Sequence, residues 1–186
     1  MKRCDWCNSE KVYIDYHDNE WGIPLYNDKA LFELLILELF QAGLSWITIL
    51  KKRENFRKTF DDFNHKKMSM YNEKKIQALL NDAGIIRNRK KIEAAIIIAK
   101  DFDKVKKEYK SFSSFIWQFA PKKKIKSNYK RLKDLPVISK ESETMSKEFK
   151  KRGYTFLGPV TCYAFMQAAG LVDDHMVGCF KKIKKD

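Results

Sequence analysis

Glycine and proline are scarce, 7 and 4 in 186 residues. That is too little punctuation for a sandwich or barrel of many short strands, and no convincing set of alternating apolar and polar positions appears. No internal repeat is present. No run reaches the roughly 18 apolar residues of a membrane span, and the N-terminus, MKRCDWCNSE, lacks the apolar stretch of a signal peptide. No membrane partner and a cytoplasmic location are therefore expected. Acidic residues are outnumbered 24 to 38 by Lys and Arg, a net charge of +14. Such an excess favours polyanions such as nucleic acid, although a lysine-rich solvated surface gives the same count. There are only four cysteines, Cys4, Cys7, Cys162 and Cys179. A chain of this length buries a sizeable core without disulfides, so metal binding or buried thiols are the better readings.

What is present is helical spacing over one expected domain, residues 1–186. Residues 1–26 read as irregular and aromatic-rich. Asn27 or Asp28 caps a helix through about Phe40, with Leu31, Leu34, Leu35 and Leu37 inward. Ala42-Gly43-Leu44 breaks it, and Ser45 caps a second helix carrying Ile49, Leu50, Phe56 and Phe60. Asn72 caps a third, with Ile76, Leu79 and Leu80 inward, and a turn around Gly84 leads to a fourth from about Asn88 to Phe102. Ser111–Phe119 and Ser142–Lys151 read as further helices, and Pro159 starts an apolar one that Gly170 ends. Residues 121–134 read as a mobile, lysine-rich loop and 181–186 as a frayed charged tail.

Cys4, His17, His175 and Cys179 form a metal candidate. His175 and Cys179 are four apart, a spacing that puts both on one side of a helix. With Cys4 and His17 they make a Cys2His2 set suited to tetrahedral zinc, a clasp between the chain ends. Cys4 and Cys7 also make a CxxC, so Cys4, Cys7, His175 and Cys179 are a rival set. Buried thiols with a hydrogen-bonded His17 need no metal at all. Four protein ligands leave no position for water, so the ion would be structural.

The turn around Gly84 joins two helices over about residues 73–100. The amides of such a turn can bind a DNA phosphate without reading sequence, and Arg87, Arg89, Lys90 and Lys91 add charge beside it. A plain helical hairpin with a solvated basic face is the alternative.

The first fifty residues carry Trp6, Tyr13, Tyr16, Trp21 and Trp46. Excising a base requires extruding it between aromatic walls, and a cationic purine gains further from π-faces. Core packing is the alternative and must hold for most of the 13 Phe and 8 Tyr. Glu38 stands in the otherwise apolar LFELLILELF. A buried carboxylate needs a partner, and a purine N–H is one it could take; an exposed face or a salt bridge with a lysine is the alternative.

The stretches RCDW, YIDYHDNEWGIPLYND, QAGLSW, DAGIIRNRKKIEA, KKRGYTFLGPVTCYAFMQAAGL and VDDHMVGC resemble the Tag-type 3-methyladenine DNA glycosylase I family, from Arg3 to Cys179. The resemblance implies an all-α helix-hairpin-helix glycosylase fold with a structural zinc on Cys4, His17, His175 and Cys179. It implies a base pocket at Glu38, the catalytic residue, with Tyr13, Tyr16, Trp21, Trp46 and Trp6 around it. It makes the QAGLSW loop, at Gly43 and Leu44, the wedge into DNA, and the hairpin at Gly84 and Arg87 the phosphate clamp. Two departures stand out: Leu39 and Phe40 replace smaller or polar residues, and Cys7 is extra. Asp101 and Asp103, near the place of the superfamily's catalytic Asp, read as helix-end surface residues.

The implied function is excision of 3-methyladenine from alkylated double-stranded DNA by a monomeric, monofunctional enzyme. The alternative is a non-catalytic, zinc-stabilised protein that binds damaged DNA.

Overall fold

The computed structural model describes residues 1–7, 9–122 and 128–182. Among these there are no strands, in keeping with the all-α expectation. The helices are α1 (Lys11–Asn19), α2 (Asp28–Gln41), α3 (Trp46–Thr59), α4 (His65–Ser69), α5 (Glu73–Asn81), α6 (Arg89–Tyr109), α7 (Phe112–Trp117), α8 (Lys140–Lys151) and α9 (Pro159–Ala168). Two helices organise the rest: α6 packs against α2, α4, α5 and α7, while α2 also receives α3 and α9. Every residue of α2 from Leu35 to Phe40 is buried, because neighbours cover the helix on several sides. The core is strongly aromatic. Phe32, Phe40, Phe56, Phe60, Phe63, Phe112, Phe115, Phe149 and Phe165 are all fully buried, so most phenylalanines pack rather than bind.

Caps set the helix starts. The side chains of Asn27, Asn72 and Asn88 accept from the amides of Ala30, Lys75 and Lys91, at the heads of α2, α5 and α6. Ser45 precedes α3 as expected, but its side chain makes no cap bond to the backbone; its hydroxyl pairs with that of Thr48 at 2.7 Å.

Several expected boundaries need correction. The N-terminal stretch contains α1, whose first turn has no side-chain cap and which buries only Tyr16 and His17, so no apolar periodicity marks it. The five-residue α4 is too short to show a period. Helix α6 runs on from Phe102 to Tyr109 because Phe102 and Val105 keep an inward spacing beneath a lysine-rich surface. Ser142 is the third residue of α8, whose cap is Ser139 in a reciprocal capping box. Leu34 and Leu80 are only partly buried, packed at the core's edge. Of the lysine-rich stretch, residues 123–127 lie outside the described residues, as do 183–186 of the tail; Leu132–Asp134 forms a short 3-10 turn.

Candidate active site and metal-ligand cluster

Glu38 sits one turn before the end of α2 and is 3% exposed. Burial pushes its carboxyl up to about 8. The nearby C-terminal carbonyls of α2 carry partial negative charge and do nothing to relieve this. Its Oε2 has no hydrogen-bond partner among the described residues. Glu38 lies on a cleft of about 390 Å³, within the roughly 300–1,000 Å³ typical of small-molecule sites. The cleft is lined by Trp6, Tyr13, Tyr16, Trp21 and Trp46, all five of the expected aromatics.

These rings form a continuous box. Trp6 meets Tyr13 at 5.3 Å and Trp21 at 5.0 Å between centroids, both edge-on. Tyr16 meets Trp46 at 5.4 Å, tilted by 51°. Helix α1 supplies Tyr13 and Tyr16, one turn apart on one face, and Trp46 opens α3 directly after the α2–α3 loop. The indole nitrogens of Trp6 and Trp46 are also buried without a hydrogen-bond partner among the described residues. Unsatisfied buried polar atoms are few in folded proteins. Here three belong to residues on one cleft, which therefore offers an acceptor and two donors among aromatic faces.

The opposite wall was not read from the sequence. It consists of Leu132, Leu135, Pro136 and Val137, together with Val160, Tyr163, Ala164 and Gln167 of α9. The spacing Val160, Tyr163, Ala164, Gln167 is a helical face, a signal present in GPVTCYAFMQAAG but masked by the overall apolarity of α9. The Tyr163 hydroxyl and the Gln167 amide both donate to Asp174 Oδ2, at 2.7 and 2.8 Å, and Asp174 is 2% exposed.

On the far side of Trp6 and Trp21, the ligand atoms of Cys4, His17 and Cys179 lie within 4.8 Å of one another, and all three residues are buried. His17 Nδ1 faces Asp18 at 2.8 Å, leaving Nε2 turned to the Cys179 sulfur at 3.4 Å. Arg3 holds Asp18 in turn at 2.6 Å and keeps its carboxyl down at about 2. His175 stands beside the group, its ring 5.4 Å from that of His17. Its Nδ1 faces Asp173 at 2.8 Å, and its buried Nε2 has no partner among the described residues. Gly22 is required here: at φ +76°, a Cβ on it would stand 2.6 Å from the His175 ring. The helix expected to carry His175 and Cys179 is not formed. A turn closed by Cys179 N–H to Met176 O at 3.0 Å, with Gly178 at φ +88°, brings Cys179 round instead. Cys7 turns its sulfur to Tyr13 O at 3.6 Å, away from the cluster. Burial pushes the Cys4 thiol up to about 12.

The α2–α3 loop runs between two cleft-lining residues, Gln41 and Trp46. Gly43 takes φ +78° with open space around it, and Leu44 is 39% exposed. Gly84, in the α5–α6 turn, is needed for space rather than for its φ: a Cβ there would fall 1.9 Å from Asn55 Nδ2. That turn is braced from α3, with Asn55 on Asp82 at 3.0 Å and Lys52 on Ala83 O at 2.7 Å. The expected basic cluster is smaller than its sequence. Arg87 and Lys90 are exposed, but Arg89 is committed to Glu73 and Glu93, and Lys91 is buried. Leu39 and Phe40 are core residues with no place on the cleft. Asp101 is no helix-end surface residue. It lies inside α6 and accepts from Tyr154 at 2.8 Å and Arg152 at 3.1 Å; Asp103 is exposed and pairs with His65.

The sequence pattern of the methyladenine glycosylase family matches residues 6–182. The chain is 45% identical over 179 residues to DNA-3-methyladenine glycosylase 1 of Escherichia coli (strain K12), covering 96% of each chain. It is 46% identical over 177 residues to DNA-3-methyladenine glycosylase of Haemophilus influenzae, covering 95% of this chain and 96% of that one. Its fold superposes with a TM-score of 0.92 on 3-methyladenine DNA glycosylase I of Staphylococcus aureus, at 40% identity over 100% of this chain and 99% of the other, in a structure describing 3-methyladenine recognition. A family pattern spanning nearly the whole chain, and relatives matched almost end to end, establish that this chain belongs to the methyladenine glycosylase family.

Proposed function

We propose that this protein is a monofunctional DNA glycosylase that flips 3-methyladenine out of alkylated duplex DNA, excises it and leaves an abasic site. The observation that carries the reading is the buried Glu38 carboxyl, its Oε2 without a hydrogen-bond partner among the described residues, on the cleft lined by Trp6, Tyr13, Tyr16, Trp21 and Trp46. Methylation at N3 makes the adenine cationic and weakens its glycosidic bond, because the base departs neutral. The protein therefore has to capture and hold the base while water attacks C1′ of the sugar. The aromatic faces attract the cation, and Glu38, the residue assigned to catalysis, accepts from the base's N–H groups. A neutral adenine gives up the cation–π attraction and leaves the carboxyl without its counter-charge, which is how a buried polar group discriminates. Among the described residues no lysine lines the cleft to serve as a Schiff-base nucleophile, which supports excision without strand cutting.

The DNA contacts are assigned to the Gly43–Leu44 loop as wedge and to the Gly84–Arg87 turn as phosphate clamp. The whole chain acts as one domain, with the hairpin at about 73–100 and the clasp formed by 1–26 and 170–180. A monomer working in the cytoplasm fits these assignments, and no helix among the described residues is long and apolar enough to cross a membrane.

Cys4, His17, His175 and Cys179 suit a structural zinc. Each histidine has its Nδ1 engaged by an aspartate, the outer-shell arrangement typical of zinc-bound imidazole; His17 Nε2 faces the Cys179 sulfur and the Cys4 amide, and His175 Nε2 has no partner among the described residues. Two thiols complete the borderline-soft set. Bound there, the ion would tie the first residues to the last turn and hold the back of the Trp6–Trp21 wall.

The test is release of bases from DNA treated with a methylating agent, resolved by chromatography. The expected product is 3-methyladenine, with 7-methylguanine retained and no strand nicks. Binding of the damaged DNA without release of any base would instead favour the non-catalytic damage-binding reading.

A further inference from the structure

Lys91 is the one buried basic residue beside the hairpin, 5% exposed. Burying an ammonium is costly unless it is satisfied, and among the described residues no carboxylate lies within ion-pair distance of it. Its Nζ donates instead to two main-chain carbonyls at the end of α2, Phe40 O at 2.9 Å and Ala42 O at 2.6 Å. The Phe156 ring lies 5.8 Å away. Helix ends leave their last carbonyls unsatisfied and carry partial negative charge, so a cation fits there.

The two ends of this side chain belong to different parts of the molecule. The Lys91 amide is the one capped by Asn88, immediately after the Gly84 turn. Its ammonium grips the loop that carries Gly43 and Leu44. The same loop is held on the cleft side by Gln41, whose Nε2 donates to Leu44 O at 2.7 Å, and Gln41 lines the cleft with Glu38. The loop is thus fixed at two carbonyls, one from the hairpin and one from the cleft wall, with the Leu44 side chain left outward.

We propose that Lys91 is a positioning residue for base excision: it locks the 42–45 loop to the head of α6, so that docking of a phosphate at the hairpin sets the placement of Leu44 and of the cleft mouth. This rests on the reading of loop and hairpin as the DNA-contacting elements. It differs from the ordinary role of a lysine in a basic cluster, which is to neutralise a phosphate.

The experiment uses Lys91→Met, Lys91→Arg, Leu44→Ala and the Lys91→Met/Leu44→Ala double variant. Single-turnover excision is measured on methylated duplex DNA, and affinity for undamaged duplex is measured across salt concentrations. The expected result for Lys91→Met is a loss of about 10–100-fold in excision rate with an unchanged salt slope. Lys91→Arg should recover part of the rate. The double variant should be scarcely slower than Leu44→Ala alone, because both changes act through one loop. A salt slope reduced by about one in Lys91→Met, as removal of a phosphate contact requires, would overturn the proposal. So would a wild-type rate in that variant, or fully multiplying losses in the double variant, the signature of general destabilisation. If Leu44→Ala alone excises normally, the wedge reading fails, a result distinguishable from failure at Lys91.

Discussion

The rings of His17 and His175 meet edge-to-face, their centroids 5.4 Å apart and their planes at 88°. Each has its Nδ1 on an aspartate close by in sequence, Asp18 for His17 and Asp173 for His175. Both Nδ1 atoms are thereby engaged; His17 Nε2 faces the Cys179 sulfur at 3.4 Å and the Cys4 amide at 3.3 Å, and the buried His175 Nε2 has no partner among the described residues.

The first prediction concerns zinc. The purified protein should carry one zinc per chain, and chelation strong enough to remove it should lower the melting temperature, because metal binding is linked to folding. His175→Ala should lose zinc and melt lower. A metal-free protein with an unchanged melting temperature would remove the structural role.

Glu38 makes stability depend on pH. Its carboxyl is raised to about 8 in the folded protein from an ordinary 4.5, so the folded state holds this proton more tightly than the unfolded one. The associated stability is fully present below the ordinary value and is lost as pH rises through about 8. Glu38→Gln has no such loss. It should be more stable than the parent by about 1–3 kcal/mol at alkaline pH, with the difference shrinking towards pH 4–5. Denaturant titrations across pH would show it; a constant difference would contradict it.

The same group shapes activity in the opposite sense. The carboxylate form is the one that attracts a cationic base, so kcat/KM should rise with pH towards the free-enzyme value near 8. Glu38→Gln should lack this limb and excise at least about 100-fold more slowly. A flat pH profile in the parent would argue against an ionised Glu38 in catalysis.

Asp174 joins the far wall of the cleft to the segment that carries His175. Removing it in Asp174→Ala strands the Tyr163 hydroxyl and the Gln167 amide and should cost about 1–3 kcal/mol. Tyr163→Phe, which leaves the carboxylate with Gln167, should cost about 1 kcal/mol. Thermal or chemical unfolding of the two variants would rank them; equal effects would mean that the aspartate is not the organising group.

At the hairpin, Gly84→Ala places a methyl 1.9 Å from Asn55 Nδ2 and should break the Asn55–Asp82 bond. The expected cost is about 1–3 kcal/mol in stability, with weaker binding to duplex DNA. Asn55→Ala in the same chain should restore part of the stability, since it removes the closest clash and leaves Asp82 Oδ1 2.9 Å from the added methyl. Failure of this rescue would point to a backbone requirement at Gly84.

The sequence by itself determined the helical class, the starts of α2, α5 and α6, and part of the cleft lining, Glu38 and the five aromatics. These are local matters: asparagine caps and apolar spacing act within a turn or two, and an isolated Glu38 in an apolar helix stands out in one dimension. The resemblance of six motifs to one family implies the aromatic pocket around Glu38. Only the tertiary structure decided what each polar group spends itself on. Lys91 and Arg89 read as surface charge in sequence, yet one is buried on the end of α2 and the other is taken up by Glu73 and Glu93. The Cys7 sulfur turned to a carbonyl and the Cys179 sulfur turned into the cluster are equal as letters; a turn at Gly178 separates their fates. Leu132, from the stretch read as a loop, and Leu135, Pro136 and Val137, which carried no reading, became part of the cleft lining. Burial and partnership depend on elements distant in the chain, and periodicity along one segment carries no information about them.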